Sequence, residues 1–349
     1  MLESRKNQFN LQRLARLQRL ARWETFLVLL ILLEVVVFGA INPRFLRPHV
    51  LFGSFNDFTS ICVISIFVTF VLITGGMDIQ SGSIVGLSSI VLGVIWASSG
   101  LNIWLIVVLT IMTGAFCGAF TGFLVAFTRV PSMVVTLGCS FLYSGFAKTI
   151  MKIAKIEAHK GISDFPVSFT AFTSWNIGGA PFQFVIFIVL ALIAHALLHR
   201  TKYGRYVFLC GINQNAAEYS GIKSRLIIMS VYILSGMGAS FAGIILTSYL
   251  GTAKPDFGKE LTLPIITAVV LGGTSILGGK GTIAGTALAA IAIGVMRFGL
   301  SMSGVSTQYL DIPVGFLLIV AVGLRGLSGN LGAVKALFYR AKPALSRKK

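Results

Sequence analysis

Residues 102–128 read NIWLIVVLTIMTGAFCGAFTGFLVAFT, a run without one charged side chain. As a helix rising about 1.5 Å per residue it would be roughly 40 Å long, more than the ~30 Å hydrocarbon core of a bilayer. A helix on the surface of a soluble protein keeps one polar face; this run has none, so it reads as a membrane crossing. Gly114, Gly118 and Gly122 recur at every fourth residue. That spacing places them on one helix face, where a second helix backbone can approach closely.

Further runs of the same kind lie on both sides of it. Including this one, they occupy about 25–41, 57–75, 83–98, 102–128, 132–151, 182–199, 226–249, 262–277, 282–302 and 308–325. The fold class expected is all-α, a polytopic transmembrane bundle of about ten spans. Composition agrees: 55% of the 349 residues are hydrophobic and only 11% are charged, where a soluble domain has about 25% charged.

The net charge of +18 suggests either a nucleic-acid partner or the basic inner flanks of a membrane protein. Its distribution favours the second. With both termini cytoplasmic, most Lys and Arg fall on inside segments, including Arg5, Arg22, Arg200, Lys202, Arg205, Lys223, Arg225, Lys280 and the tail from Arg325 to Lys349, as the positive-inside rule requires. The expected partner of the basic segments is membrane lipid, and no nucleic acid. One loop resists: residues 148–180 fall outside yet carry Lys148, Lys152, Lys155 and Lys160. Three segments follow: a basic N-terminal segment 1–24, a membrane domain 25–325 and a basic tail 326–349. The LQRLARLQRLAR at 11–22 repeats every six residues, so its leucines drift around a helix and give only a loosely amphipathic surface. The apolar run after it is long and has no A-x-A cleavage pattern, so it reads as an uncleaved first span.

Several chemistries find no support. GGKGT at 278–282 has Gly281 where a phosphate loop needs Ser or Thr. There is no GxSxG or HExxH, and the four His and four Cys lack metal spacing. No metal site is expected, and Cys62, Cys117, Cys139 and Cys210 read as packing residues. Glu34, Asp57, Arg297 and Asp311 lie in or at the ends of spans. A central charge costs about 3 kcal/mol on insertion scales, so each faces protein or water, as a structural ion pair or as a path lining. VLITGGMDIQSGSIVG (71–86) and VVLGGTSILGGKGTIAG (269–285) echo each other, as the halves of many transporters do. Their Gly-Gly pairs suit either a hinge or tight packing. Asp78 and Ser81 suit caps for the following helix.

NQNAAEYSGIK (213–223) is a different kind of segment. It is too polar to cross a bilayer, Asn213 suits an N-cap, and Gly221 suits a helix stop. A short exposed helix between two spans fits a docking knob for a cytosolic partner, or an ordered surface loop. At this point a resemblance enters. YGRYVFLCGINQNAAEYSGIK is similar to the cytoplasmic loop of ribose-type sugar permeases of ATP-binding-cassette importers, with Gly204, Arg205, Asn213, Ala216, Ala217, Glu218, Ser220, Gly221 and Ile222 in its motif. NPRFL (42–46), GGMDIQSGSIVGL (75–87), PSMVVTLG (131–138) and VVLGGTSILGGKGTIAGT (269–286) extend it over about 25–325.

Within the family, EVVVFGAINPRFL (34–46) and SYLGTAKPDFGKELTLPIITAVVLGG (248–273) resemble most the permeases that import autoinducer-2, whereas the 213–223 loop leans toward ribose permeases. The resemblance implies a permease of the inner membrane that performs no chemistry. It binds no cofactor itself, ATP and Mg²⁺ being held by a cytoplasmic ATPase. It implies a second permease, either a sister chain or another copy, and a periplasmic solute-binding protein. It places ATPase coupling in 200–225. By motif position it places the solute path or gate at Asp57, Gly75, Gly76, Asp78, Ser83, Thr136, Gly272, Gly273 and Thr274. Rival readings are an ion-coupled transporter, a membrane enzyme and a channel; the first needs embedded ion-coupling acids, which are few here.

Overall fold

The computed structural model describes residues 23–128, 130–156 and 160–329, with side chains as far as Gly323. The 11–22 repeat and nearly all of the basic tail lie outside the described residues. What is described is helical almost throughout, joined by short connections and one two-stranded antiparallel hairpin, β1 (Asn176–Ile177) with β2 (Ala180–Pro181).

Eight helices are long and apolar enough to cross a membrane: α1 (Trp23–Ile41), α3 (Phe55–Ile73), α4 (Ser81–Ser99), α5 (Ile103–Phe127), α6 (Ser132–Ile153), α8 (Phe182–Arg200), α11 (Ser224–Leu250) and α13 (Ile283–Met302). The short α2 (Pro48–Gly53), α7 (Val167–Ser174), α9 (Lys202–Ile212) and α10 (Gln214–Tyr219) lie between them, and α12 (Thr262–Leu271) and α14 (Asp311–Gly329) complete the order. Each apolar run read from the sequence coincides with a helix. The run 262–277 is the exception in extent. Its helix ends at Leu271, because Gly272 and Gly273 break it, and residues 272–282 follow as irregular chain.

The centre of the bundle is α3, 83% of whose apolar window is buried, against 22% for α1 and α8. The contrast sorts the helices into an inner set and a rim that shows Leu29, Val36, Phe116, Phe141 and Leu192. On the rim no water is displaced, so apolar exposure suits lipid. The predicted glycine face is there: an added Cβ would lie 2.4 Å from Gly236 O at Gly114, 2.2 Å from Tyr232 O at Gly118 and 2.8 Å from Met229 O at Gly122. Only glycine lets α5 and α11 run this close, and the approach is reciprocal through Gly236, whose Cβ would meet Gly114 O at 2.2 Å.

The internal echo is visible in the hydrogen bonds. At the end of α3, Gly75 N donates to Leu72 O and Gly76 N to Val71 O; at the end of α12, Gly273 N donates to Val270 O and Thr274 N to Val269 O. Gly75 (φ +81°) and Gly273 (φ +111°) both adopt the left-handed backbone that such a helix stop requires. The structural match pairs Gly75 with Gly273, one residue away from aligning the two Gly-Gly pairs.

Candidate functional site: a helix pair, a glycine knot and a polar interior

The basic end of the bundle carries α9 and α10. Thr201 caps α9 through Gly204 N, and Asn213 caps α10 through Ala216 N at 3.0 Å. Gly221, at φ +82°, ends the second helix. The helix read at 213–221 is present; α9 before it went unread within the 200–225 loop. Ser224 Oγ donates to Glu218 Oε1, tying α10 to the start of α11. Ala217 is buried and is the anchor of α10. Asn213, Ala216, Glu218, Ser220 and Gly221 are exposed, as is Arg205 on α9, and Ile222 is half-buried. Tyr219 is 94% exposed, and Ile212 and Leu277 also project into the open. Apolar tips in a polar frame suit a protein contact. Gly204 is buried, its absent Cβ leaving room for Leu198 O. In α9, burial pushes the Cys210 thiol above its ordinary value, and nearby Glu218 adds to this.

The far end of α9 meets the helix stops. A Cβ on Gly211 would lie 1.8 Å from Ile73 O and 2.7 Å from Gly279 N, and Gly279 N donates to Ile73 O at 2.8 Å. One on Gly278 would lie 2.9 Å from Gly75 N, and one on Gly281 would lie 2.8 Å from Thr274 Oγ1. Thus α9, the end of α3 and the loop 272–282 form one close-packed knot. Sequence reading singled out Gly75, Gly76, Gly272, Gly273 and Thr274 but missed Gly211, whose only sequence signal is a glycine near a helix end.

Above the knot lies a polar interior. Asp78 Oδ2 accepts from Ser235 Oγ and Oδ1 accepts from Gln80 N. Tyr232 OH donates to Met77 O at 3.1 Å, and Ser132 Oγ accepts from Met77 N. Thr121 Oγ1 donates to Gln80 Oε1, and Tyr143 OH donates to Cys117 O. Ser235 is the twelfth residue of α11, so Asp78 sits about 16 Å along that helix from its basic end. The connection after α3 therefore climbs back into the bundle before α4 begins. Ser83 Oγ, on α4, lies 2.7 Å from Ser140 Oγ and accepts from Ser144 Oγ, both on α6.

The remaining candidates are dispersed. Thr136 is buried in α6 and its hydroxyl donates to Met133 O. Asp57 opens α3 at the opposite end, accepting from Tyr249 OH at 3.2 Å. Tyr249 lies fourteen residues beyond Ser235 on α11, about 21 Å along its axis, so the structure does not bring Asp57 to Asp78. Gly76 and Gly272 read as packing residues: an added Cβ would meet Tyr232 OH at 2.6 Å and Thr286 Cα at 2.4 Å. Arg297 pairs with Asp311, the ionic pairing considered for the span charges. Among the described residues no cluster of His, Cys, Asp or Glu could hold a metal, and the four cysteines are free and buried.

A rim of apolar helices around a polar interior, with a helix pair at one end locked to the interior, is an architecture that suits a membrane permease. The chain belongs to the family described as branched-chain amino acid transport system / permease component, which matches residues 50–322. It is 40% identical over 318 residues to the autoinducer 2 import system permease protein LsrD of Klebsiella pneumoniae, covering 91% of this chain and 96% of the relative. LsrD of Enterobacter sp. and of Escherichia coli K12 show the same 40% identity over 318 residues. A solved metal-chelate type ABC transporter in an inward-facing conformation aligns over 86% of this chain at 17% identity, with a TM-score of 0.47.

Proposed function

We propose that this chain is a permease subunit of an ATP-binding-cassette importer that carries autoinducer-2 inward across the inner membrane. The observation that carries the reading is the near-full-length similarity to LsrD, 91% of this chain against 96% of the relative. The chain supplies the path and no chemistry; ATP and Mg²⁺ are bound and used by a separate cytoplasmic ATPase. That ATPase docks on α10 and the neighbouring α9, the basic end being cytoplasmic. A soluble binding protein delivers solute at the other end, and a second permease, a sister chain or another copy, completes the path.

The physical support for coupling is the knot. Closure of the ATPases pushes on α10, Glu218 and Ser224 pass the push to α11, and Gly211 passes it to Ile73 and Gly279. Packed contacts this close shift as bodies and do not deform smoothly. The connection that holds Asp78 begins at that knot, so the polar interior feels the motion. Asp78, Ser83, Thr136, Thr274, Gly75 and Gly273 are the residues we assign to the path or its gate, with Gly76 and Gly272 packing beside them and Asp57 at its outer mouth.

A second reading, a permease for ribose or another monosaccharide, is favoured by Ala216-Ala217 and Ser220-Gly221-Ile222. The test is uptake of autoinducer-2 and of ribose in cells with and without this chain, its partner genes intact. Loss of autoinducer-2 uptake alone is expected. Loss of ribose uptake alone would move the chain to the sugar group.

A further inference from the structure

Residues 251–261, which the sequence reading placed outside the membrane, run back along α4 into the bundle. Helix α12 has ten residues and covers only about 15 Å, half a crossing. The other half is irregular chain laid against α4. A Cβ on Gly93 would touch Ala253, one on Gly86 would lie 2.2 Å from Pro255 O, and one on Gly82 would lie 2.3 Å from Gly258 O. The approach is mutual, since a Cβ on Gly258 would lie 1.6 Å from Gly82 O. Ala253 pairs with Ile162 at the upper end and Lys254 N donates to Ser89 Oγ lower down.

The depth of Gly258 follows from its neighbours. Gly82 is in the first turn of α4, just after Gln80 and Asp78, which bond Thr121 and Ser235. Those partners lie six residues from the end of α5 and eleven from the start of α11, about 9 Å and 16 Å inside the bundle. At this level the chain presents Asp256, Lys259 and Glu260. Lys259 Nζ lies 3.0 Å from Asp256 Oδ1, with side chains 64% and 57% exposed, and Glu260 is exposed too. Charges at such depth do not face lipid, at about 3 kcal/mol each, and non-helical backbone there lines water or protein.

We infer that the turn Asp256–Glu260 is a rung of the solute path that binds a small, neutral, polyhydroxylated solute. Lys259 donates to solute hydroxyl or carbonyl oxygens, and the Asp256 and Glu260 carboxylates accept from solute hydroxyls. A mixed-charge rung of this kind suits hydroxyl groups, which donate and accept, and it fits neither an apolar solute nor a bare ion. The inference deepens the import reading and rests on it for the solute.

Two measurements on the assembled importer test it. In a background with the four native cysteines replaced, Asp256→Cys, Lys259→Cys and Glu260→Cys are treated with a membrane-impermeant hydrophilic maleimide and with a lipid-soluble one. Phe141→Cys, on the apolar rim, is the reference. The rung is expected to react with the hydrophilic reagent at least tenfold faster than the reference. Equal rates, or preference for the lipid-soluble reagent, would overturn the placement, whatever the solute is. Separately, Lys259→Gln and Glu260→Gln are expected to raise the KM for uptake of autoinducer-2 or ribose at least tenfold at unchanged amounts of protein in the membrane. Unchanged KM with hydrophilic labelling intact would overturn the binding role. If the unmodified importer carries neither probe, the import reading fails for these solutes while the labelling result still decides the placement.

Discussion

Gly258 and Gly82 show what a single methyl group decides here. Their backbones touch, so a Cβ on Gly258 would collide with a carbonyl that has no rotamer to escape into. Gly258→Ala is expected to destabilise the purified permease by about 1–3 kcal/mol or to prevent its accumulation in the membrane. Gly145→Ala, with open space at its Cβ, is expected to be neutral or slightly stabilising in its helix. Thermal unfolding in detergent separates the two. Asp78 is the polar counterpart. Asp78→Ala removes acceptors from Ser235 Oγ and Gln80 N and should cost about 1–3 kcal/mol for each donor left unpaired. Asp78→Asn keeps one acceptor oxygen and should cost less, so the Tm order wild type, Asn, Ala is the expected result. The residue chemistry was partly legible in the sequence: Asn213 and Gly221 announced the ends of α10, and the 114–118–122 glycines announced a close contact. Asp78 was read as a cap for α4, but the N-cap is Gln80 and no side chain caps the helix; Asp78 accepts from Gln80 N instead, and nothing in GGMDIQSGS says that Ser235, 157 residues away, supplies its second partner.

Among the elements, α10 and α12 repay comparison. Helix α10 was found by its polarity and its cap, two local signals. The limits of α12 were not, because an apolar run gives no period once every face is buried, and ITAVVLGGTSIL carries its stop inside a stretch that averages as hydrophobic. Charge was the better clue: PDFGKEL lies between two apolar runs and reads as an external loop only while depth is unknown. The role of α10 yields a prediction. Glu218→Lys removes the acceptor of Ser224 Oγ and puts a positive charge on the docking face; Gly221→Pro cannot adopt the φ of +82°. Both variants should reach the membrane in normal amounts while ATP hydrolysis continues with uptake lowered at least tenfold. Normal uptake at normal amounts would remove α10 from the coupling route.

As a whole molecule, the chain is a rim suited to lipid around an interior that is not. Its class was legible from composition alone, since 55% hydrophobic and 11% charged residues cannot describe a soluble domain of this size. The echo of 71–86 in 269–285 was legible too, and the matching hydrogen bonds at the ends of α3 and α12 give it physical content. The joining of α9 to both helix stops was not, because Gly211, Ile73 and Gly279 are far apart in sequence and carry no shared pattern. On the proposed function, this assembly moves solute inward on energy supplied by a separate ATPase. Proteoliposomes holding the importer with and without this chain, with binding protein and labelled autoinducer-2 outside and ATP with Mg²⁺ sealed within, test this. Accumulation that needs both this chain and internal ATP, and that survives a proton ionophore, is the expected result. Uptake that proceeds without ATP and collapses with the ionophore would contradict it and make the chain an ion-coupled transporter.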